Sequence, residues 1–174
     1  QSLRILYEKN PHEQRSVASI SKIMTTIIAI ENANLDDYVL ISKEAVFQIG
    51  SSLYLQIGEE IKLRDLLYGL MLRSGNDAAY AVSEYVGGSV TNFVYLMNEK
   101  AKELGLYNTT FENPSGLDML DKNISTAYDM ALITRYAMSN PLFREINNTT
   151  NYRATSKAGR VFSWKNKHRL INRY

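Results

Sequence analysis

The sequence predicts an α+β fold, a helical cluster packed on an antiparallel sheet. Three observations predict it. First, the middle of the chain carries apolar residues at helical spacing, as in Leu63, Leu66, Leu67, Leu70 and Met71. Second, two strand-like runs, residues 150–155 and 161–166, close the chain and are joined by Ser156-Lys157-Ala158-Gly159-Arg160. Third, helices and strands are segregated along the chain rather than alternating, which favours an antiparallel sheet over βαβ units. With 174 residues, 45% hydrophobic and 22% charged, the chain has the length of one domain and the composition of a globular core.

Residues 3–7 (Leu-Arg-Ile-Leu-Tyr) read as the end of a β-strand running into a polar turn at 8–14. Residues 19–31 form a helix whose apolar positions Ile20, Ile23, Met24, Ile27, Ile28 and Ile30 cover most of its surface, so it is expected to be central and buried. Its β-branched content makes it a poor isolated helix, held by packing. Residues 38–41 are a short strand, Ser42 opens a short helix, and Gly50-Ser51-Ser52 is a turn. A strong helix covers 63–72. Ser74-Gly75-Asn76-Asp77 breaks it, and 78–86 form the next helix, stopped by Gly87-Gly88. Residues 90–104 are a helix with Gly105 past its end, 109–111 are extended, and Asn113-Pro114-Ser115-Gly116 is a turn. A helix over 126–139 starts with Thr126-x-x-Asp129, the pattern of a capping box, and Pro141 starts a further short helix.

Composition excludes several classes. Cysteine is absent, so there is no disulfide, thiolate nucleophile or Cys-ligated zinc. Two histidines leave little for a His-based metal centre, and no metal or cofactor is expected. The net charge is +2, with 20 basic and 18 acidic residues mixed and no Lys/Arg run, so no nucleic-acid partner is expected. The longest apolar run, 27–30, is far short of the roughly 20 residues of a membrane span. The first residues show no apolar stretch behind a basic start, as a signal peptide would.

Two short patterns carry candidate chemistry. Ser19-Ile20-Ser21-Lys22 is a Ser-x-x-Lys at the mouth of the apolar helix. Taken alone, it reads as an N-capping serine with a solvent-facing lysine. Three residues along a helix, however, put Ser19 and Lys22 on one face, about 5–6 Å apart at Cβ. A lysine in a water-poor cleft has a lowered pKa and can accept the serine proton, a known alternative to Ser-His-Asp. The second pattern is Ser74-Gly75-Asn76. Either side chain can simply cap the helix that follows. Alternatively, the loop points a hydroxyl and an amide into a cleft, Ser74 relaying a proton with Lys22 and Asn76 holding Lys22 or a substrate carbonyl.

Together these segments carry a resemblance. They are 16–25 (Ser-Val-Ala-Ser-Ile-Ser-Lys-Ile-Met-Thr), 67–79 (Leu-Tyr-Gly-Leu-Met-Leu-Arg-Ser-Gly-Asn-Asp-Ala-Ala), 111–118 (Phe-Glu-Asn-Pro-Ser-Gly-Leu-Asp), 125–131 (Ser-Thr-Ala-Tyr-Asp-Met-Ala) and 5–10. The chain resembles the serine-type D-alanyl-D-alanine carboxypeptidases, the low-molecular-mass penicillin-binding proteins among the penicillin-recognising serine enzymes, from about residue 5 to 172. Gly75 fits the carboxypeptidase branch better than the class A β-lactamases, which have Ser-Asp-Asn there.

The resemblance implies a single DD-peptidase-like catalytic domain over 1–174. Ser19 would be the acylated nucleophile, Lys22 its proton acceptor, and Ser74 with Asn76 the proton relay and substrate-positioning pair. The Ser19 backbone N–H would supply half of an oxyanion hole. The implied activity is removal of the terminal D-Ala from peptidoglycan stem pentapeptides through an acyl-enzyme, with β-lactams acylating the same serine. The alternatives are a β-lactamase or esterase on the same fold, or a non-catalytic fragment or pseudoenzyme that binds wall peptide. The implied setting is the bacterial cell envelope or exterior, with any peripheral membrane anchor in segments outside this chain.

Two departures stand out. The family's Lys-Thr/Ser-Gly strand is not reached by Tyr174, so the chain reads as incomplete at both ends. Lys157-Ala158-Gly159 is not accepted in its place, because it sits where a hairpin turn belongs. Ser115 stands where similar proteins have a histidine. Asp129 is read as a helix cap or a cleft residue, and His12 and His168 as surface polar residues. The 12 tyrosines are read as packing or rim residues.

Overall fold

The chain is built around helix α1 (Lys22–Asn32), in which Met24, Thr25, Thr26, Ile27, Ile28 and Ala29 are all buried. Burying each of the two isoleucines stabilises the fold by about 1.5–3 kcal/mol, which overrides the poor helix propensity of a β-branched run. The structure, a computed structural model, describes residues 4–117, 122–168 and 170–171. Around α1 pack α3 (Leu63–Arg73), α4 (Asn76–Gly87), α5 (Val90–Glu103) and α6 (Ala127–Ala137). The short α2 (Lys43–Val46) lies on α4, and α7 (Pro141–Asn148) on α3.

The helix starts follow their sequence signals. Ser42, Ser89 and Thr126 each accept a backbone N–H in the first turn of α2, α5 and α6, and Asn140 does so for α7, where Pro141 follows. Thr126 accepts from the Asp129 N–H as expected, but Asp129 does not reach back. Its carboxylate instead accepts from the Asn108 N–H and the Thr109 hydroxyl, tying the 108–109 loop to α6.

The helical cluster and antiparallel pairing are as expected, but the β component of the described residues is three two-stranded ribbons rather than one sheet. β5 (Asn151–Thr155) and β6 (Val161–Lys165) form the expected hairpin, with Tyr152 opposite Trp164 and Ala154 opposite Phe162. Ala154, Phe162 and Trp164 face α3, where Gly69 lets the Trp164 ring approach closely. β2 (Tyr38–Leu40) pairs with β3 (Glu60–Lys62), and β1 (Arg15–Ser16) with β4 (Ile124–Ser125). The sequence reading missed β1, β3 and β4. Segments of two or three residues carry too little alternation to register, and Ile61 is the only apolar residue of β3.

The strand expected at 3–7 is corrected. Residues 4–8 form no regular secondary structure and pair with no described strand, and Leu6 and Tyr7 are exposed; Leu3 lies outside the described residues. An apolar run reads as a strand only where a partner strand closes its hydrogen bonds.

Candidate active site

Ser19 sits in a 3-10 turn, Ala18–Ser21, that runs directly into α1. Neither Ser19 nor Ser21 caps the helix with its side chain, so the capping reading of Ser19 fails. In a 3-10 turn residues i and i+3 eclipse one another, which stacks Ser19 on Lys22. Ala18 has φ +44°, a left-handed conformation unusual for a non-glycine residue, and the Ser21 hydroxyl donates to its carbonyl. This turn leaves Ser19 exposed at the mouth of the helix while Lys22 lies inside.

Lys22 is only 3% exposed and its amine has three partners. It donates to Ser19 Oγ at 3.1 Å, to Asn76 Oδ1 at 2.9 Å and to the Ser115 carbonyl. Burial, and after it the charge of Lys167, lower its pKa from 10.5 to about 8, against the opposing pull of the Asp77 carboxylate. The partner set matters for chemistry. Asn76 Oδ1 and the Ser115 carbonyl can only accept. A neutral amine has two N–H groups, and these two acceptors take both. Its lone pair is then left facing the Ser19 hydroxyl.

Asn76 begins α4, whose N-cap is Gly75, so its side chain is not a cap either. Its amide is oriented from the other side: Nδ2 donates to the Ile49 carbonyl at 2.7 Å, which turns Oδ1 toward Lys22. Its backbone N–H donates to the Ser51 carbonyl at 2.6 Å. The next residue, Asp77, is fully buried and accepts from the Ser52 hydroxyl and from the N–H groups of Leu53, Leu55 and Ala78. Thus the 49–55 segment is pinned to the start of α4 by two consecutive side chains.

Ser74 is the C-cap of α3, with φ +61° and ψ +36°. Its hydroxyl makes no hydrogen bond with the described residues. The structure brings Ser19, Lys22 and Asn76 into one hydrogen-bonded cluster and places Ser74 two residues from Asn76, outside that cluster. Lys167 stands over the same region, its Nζ 3.3 Å from Ser51 Oγ and its N–H on the Leu72 carbonyl.

The 113–116 turn forms the remaining wall. Asn113 Oδ1 accepts from the N–H groups of Ser115 and Gly116 and from the Ser115 hydroxyl. The Pro114 carbonyl accepts from Thr25 Oγ1 at 2.7 Å, and the Ser115 carbonyl accepts from Lys22. Gly116 has φ +76°, and a Cβ there would strike the Ala18 carbonyl. This position requires glycine twice over, for conformation and for space.

Sequence reasoning missed the Ser115 carbonyl, Asp77, Ile49 and Lys167 as site components. The first and third act through backbone atoms, which leave no residue signature. Asp77 was in view only as the end of a helix break, and Lys167 follows β6 without any motif.

The remaining expectations find plain places. Asp129 is buried in the first turn of α6, bound to the 108–109 loop. His12 and His168 are exposed, His12 with its ring 5.1 Å from that of Tyr128. Lys157-Ala158-Gly159 lies in the β5–β6 turn, and Lys157 pairs with Glu60 at 2.9 Å rather than facing Ser19. Among the described residues no cluster of three or more His, Asp or Glu could hold a metal ion.

A sequence profile of the family Peptidase S11, D-alanyl-D-alanine carboxypeptidase, matches residues 1–174. The D-alanyl-D-alanine carboxypeptidase DacF of Bacillus subtilis (strain 168) is 36% identical over 98% of this chain and 45% of its own length. The D-alanyl-D-alanine carboxypeptidase of Streptomyces sp. (strain K15) is 38% identical over 97% of this chain and 64% of its own length. This chain therefore spans only part of the curated relatives it matches. In structure it is similar to the S216A mutant of the Streptomyces K15 DD-transpeptidase, with a TM-score of 0.90 and 36% identity over 97% of this chain and 71% of that one. It is also similar to the D-alanyl-D-alanine carboxypeptidase DacD of Francisella tularensis, with a TM-score of 0.89 and 28% identity over 98% of this chain and 54% of that one.

Proposed function

The chain belongs to the D-alanyl-D-alanine carboxypeptidase family, and on that premise we propose that it carries the acylation centre of a serine DD-carboxypeptidase of the bacterial cell envelope. The substrate is a peptidoglycan stem peptide ending in D-Ala-D-Ala, and β-lactams are suicide analogues of it.

Ser19 Oγ attacks the carbonyl carbon of the penultimate D-Ala. Its proton passes to the neutral Lys22 amine as the O–C bond forms. The tetrahedral oxyanion takes the Ser19 backbone N–H as one donor. The C–N bond to the terminal D-Ala then breaks, and that leaving nitrogen receives the proton held by Lys22. Water, deprotonated by the same amine, hydrolyses the ester and frees Ser19.

The observation that supports this reading most is the partner set of Lys22. A buried amine with a pKa lowered to about 8 and two acceptor-only neighbours is a base aimed at one hydroxyl. Asn76 holds that amine from the α4 side. Neither a capping role for Ser19 nor a solvent-facing role for Lys22 accounts for this arrangement. The proposed setting is outside the cytoplasm, where the finished wall peptides lie. No helix among the described residues is long and apolar enough to cross a membrane.

Intact mass after incubation with benzylpenicillin, followed by peptide mapping, tests the proposal. A covalent adduct on Ser19, lost in Ser19→Ala, is the expected result. An adduct that persists in Ser19→Ala, or that maps elsewhere, overturns it.

A further inference from the structure

Thr25 is a buried threonine of α1 whose side-chain hydrogen bond leaves the helix altogether. Its neighbour Thr26 bonds back to the Lys22 carbonyl at 2.8 Å, and Thr134 in α6 bonds back to Met130 at 2.7 Å, the usual outlet for a mid-helix threonine. Thr25 is 0% exposed and instead donates to the Pro114 carbonyl, 89 residues away in sequence. It lies one turn after Lys22, on the same helix face.

The carbonyl after Pro114 is that of Ser115, the acceptor of Lys22. Consecutive carbonyls thus land on consecutive polar positions of one helix face. Asn113 makes this possible by gathering the Ser115 and Gly116 N–H groups on its own Oδ1, so the amides point away from α1 and the carbonyls toward it. Asn123 holds Asn113 in turn: it accepts from the Asn113 N–H and donates to the Asn113 carbonyl. Gly116 then seats the end of the turn against Ala18, the residue before Ser19.

We infer that Thr25 is a positioning residue for the Ser19–Lys22 couple: its hydrogen bond to Pro114 holds the 113–116 turn so that the Ser115 carbonyl fixes the Lys22 amine and keeps water from it. This rests on the reading of Lys22 as the proton acceptor. Thr25 itself touches neither Ser19 nor Lys22's amine, and acts through the turn. The charged groups acting on Lys22 come from two other elements, Asp77 at the start of α4 and Lys167 after β6. Releasing the turn changes neither. It lets water reach the amine and relieves the burial that lowers its pKa.

The test is an NMR titration of isotopically labelled lysine in wild type, Thr25→Val, Thr25→Ser and the control Thr134→Val, alongside the rate of benzylpenicillin acylation. Thr25→Val keeps shape and removes the donor. The expected result is a Lys22 pKa at least one unit above wild type and an acylation rate at neutral pH about tenfold lower, with Thr25→Ser restoring both and Thr134→Val changing neither. A Lys22 pKa unchanged or lowered in folded Thr25→Val overturns the inference, as does Thr25→Ser failing to restore it. Should Thr25→Val not fold, Thr25→Ala is read by the same criteria. The titration needs no turnover, so wild type that is never acylated counts against the proposed function, while an unmoved Lys22 pKa counts against the role of Thr25.

Discussion

Lys22 Nζ lies 2.9 Å from Asn76 Oδ1, across 54 residues of sequence, and the Asn76 amide is held in that orientation by the Ile49 carbonyl on its other side. The helix that supplies the base and the helix that supplies its partner are therefore locked by one side chain with both ends bound.

The first consequence is pH dependence. With a pKa of about 8, roughly one Lys22 in ten is neutral at pH 7. The rate constant for Ser19 acylation should rise about tenfold from pH 6 to pH 7 and level off above pH 8 to 9. Stopped-flow acylation with a chromogenic cephalosporin checks this. A flat profile from pH 6 to 9 excludes a titrating Lys22 as the base.

Stability carries the same signature. Below pH 8 Lys22 is charged in both the folded and unfolded chain, and the full cost of burying the ammonium is present. Between about 8 and 10.5 the folded chain binds fewer protons than the unfolded one, so stability rises with pH. The shift corresponds to about 3 kcal/mol. Lys22→Met has no such group. Urea melts of the two proteins should show wild type gaining about 3 kcal/mol on Lys22→Met between pH 8 and 10.5. A constant difference across that window contradicts the lowered pKa.

Substitutions at Asn76 separate holding from chemistry. Asn76→Ala leaves the Ile49 carbonyl and one Lys22 N–H unpaired, at a cost of about 3 kcal/mol. Its thermal midpoint should fall by about 6–12 °C. Asn76→Asp keeps the shape but sets a carboxylate against Lys22, which favours the ammonium. Its acylation profile should move to higher pH. Calorimetry and the pH–rate profile distinguish the two outcomes, and an unshifted profile for Asn76→Asp contradicts the contact.

Asp77 acts on the site from behind. Its carboxylate takes the N–H groups of Leu53, Leu55 and Ala78 and the Ser52 hydroxyl, so Asp77→Asn turns an NH2 toward at least one N–H. The expected loss is about 2–4 kcal/mol. Because the Asp77 charge raises the Lys22 pKa, its removal should also move the acylation limb to lower pH. Denaturant melts and the same pH–rate profile measure the two effects separately.

Most helices were legible in the sequence because apolar spacing and end signals agree. Residues 63–72 carry an uninterrupted helical stripe, and Ser42, Ser89, Thr126 and Asn140 stand where caps form. The hairpin β5–β6 was legible because each strand runs five residues with its own turn. Of the shorter strands, β2 was legible at 38–41, whereas β1, β3 and β4 were not, since two or three residues define no period. The strand expected from residues 3–7 shows the converse: strand composition without a paired neighbour does not make a strand.

The sequence by itself determined that Ser19 and Lys22 share a face, because their spacing is local, and that Ser74-Gly75-Asn76 interrupts two helices. Only the tertiary structure decided that Lys22 is buried, that Asn76 faces it and that the Ser115 carbonyl closes its third side. The physical reason is that a side-chain pattern encodes local geometry, whereas the Lys22 pKa depends on the water excluded and the carbonyls supplied by segments 54 and 93 residues away. Two of the four groups that orient this amine and its partner, Ile49 and Ser115, contribute backbone oxygens, which any residue type provides and only the fold can aim.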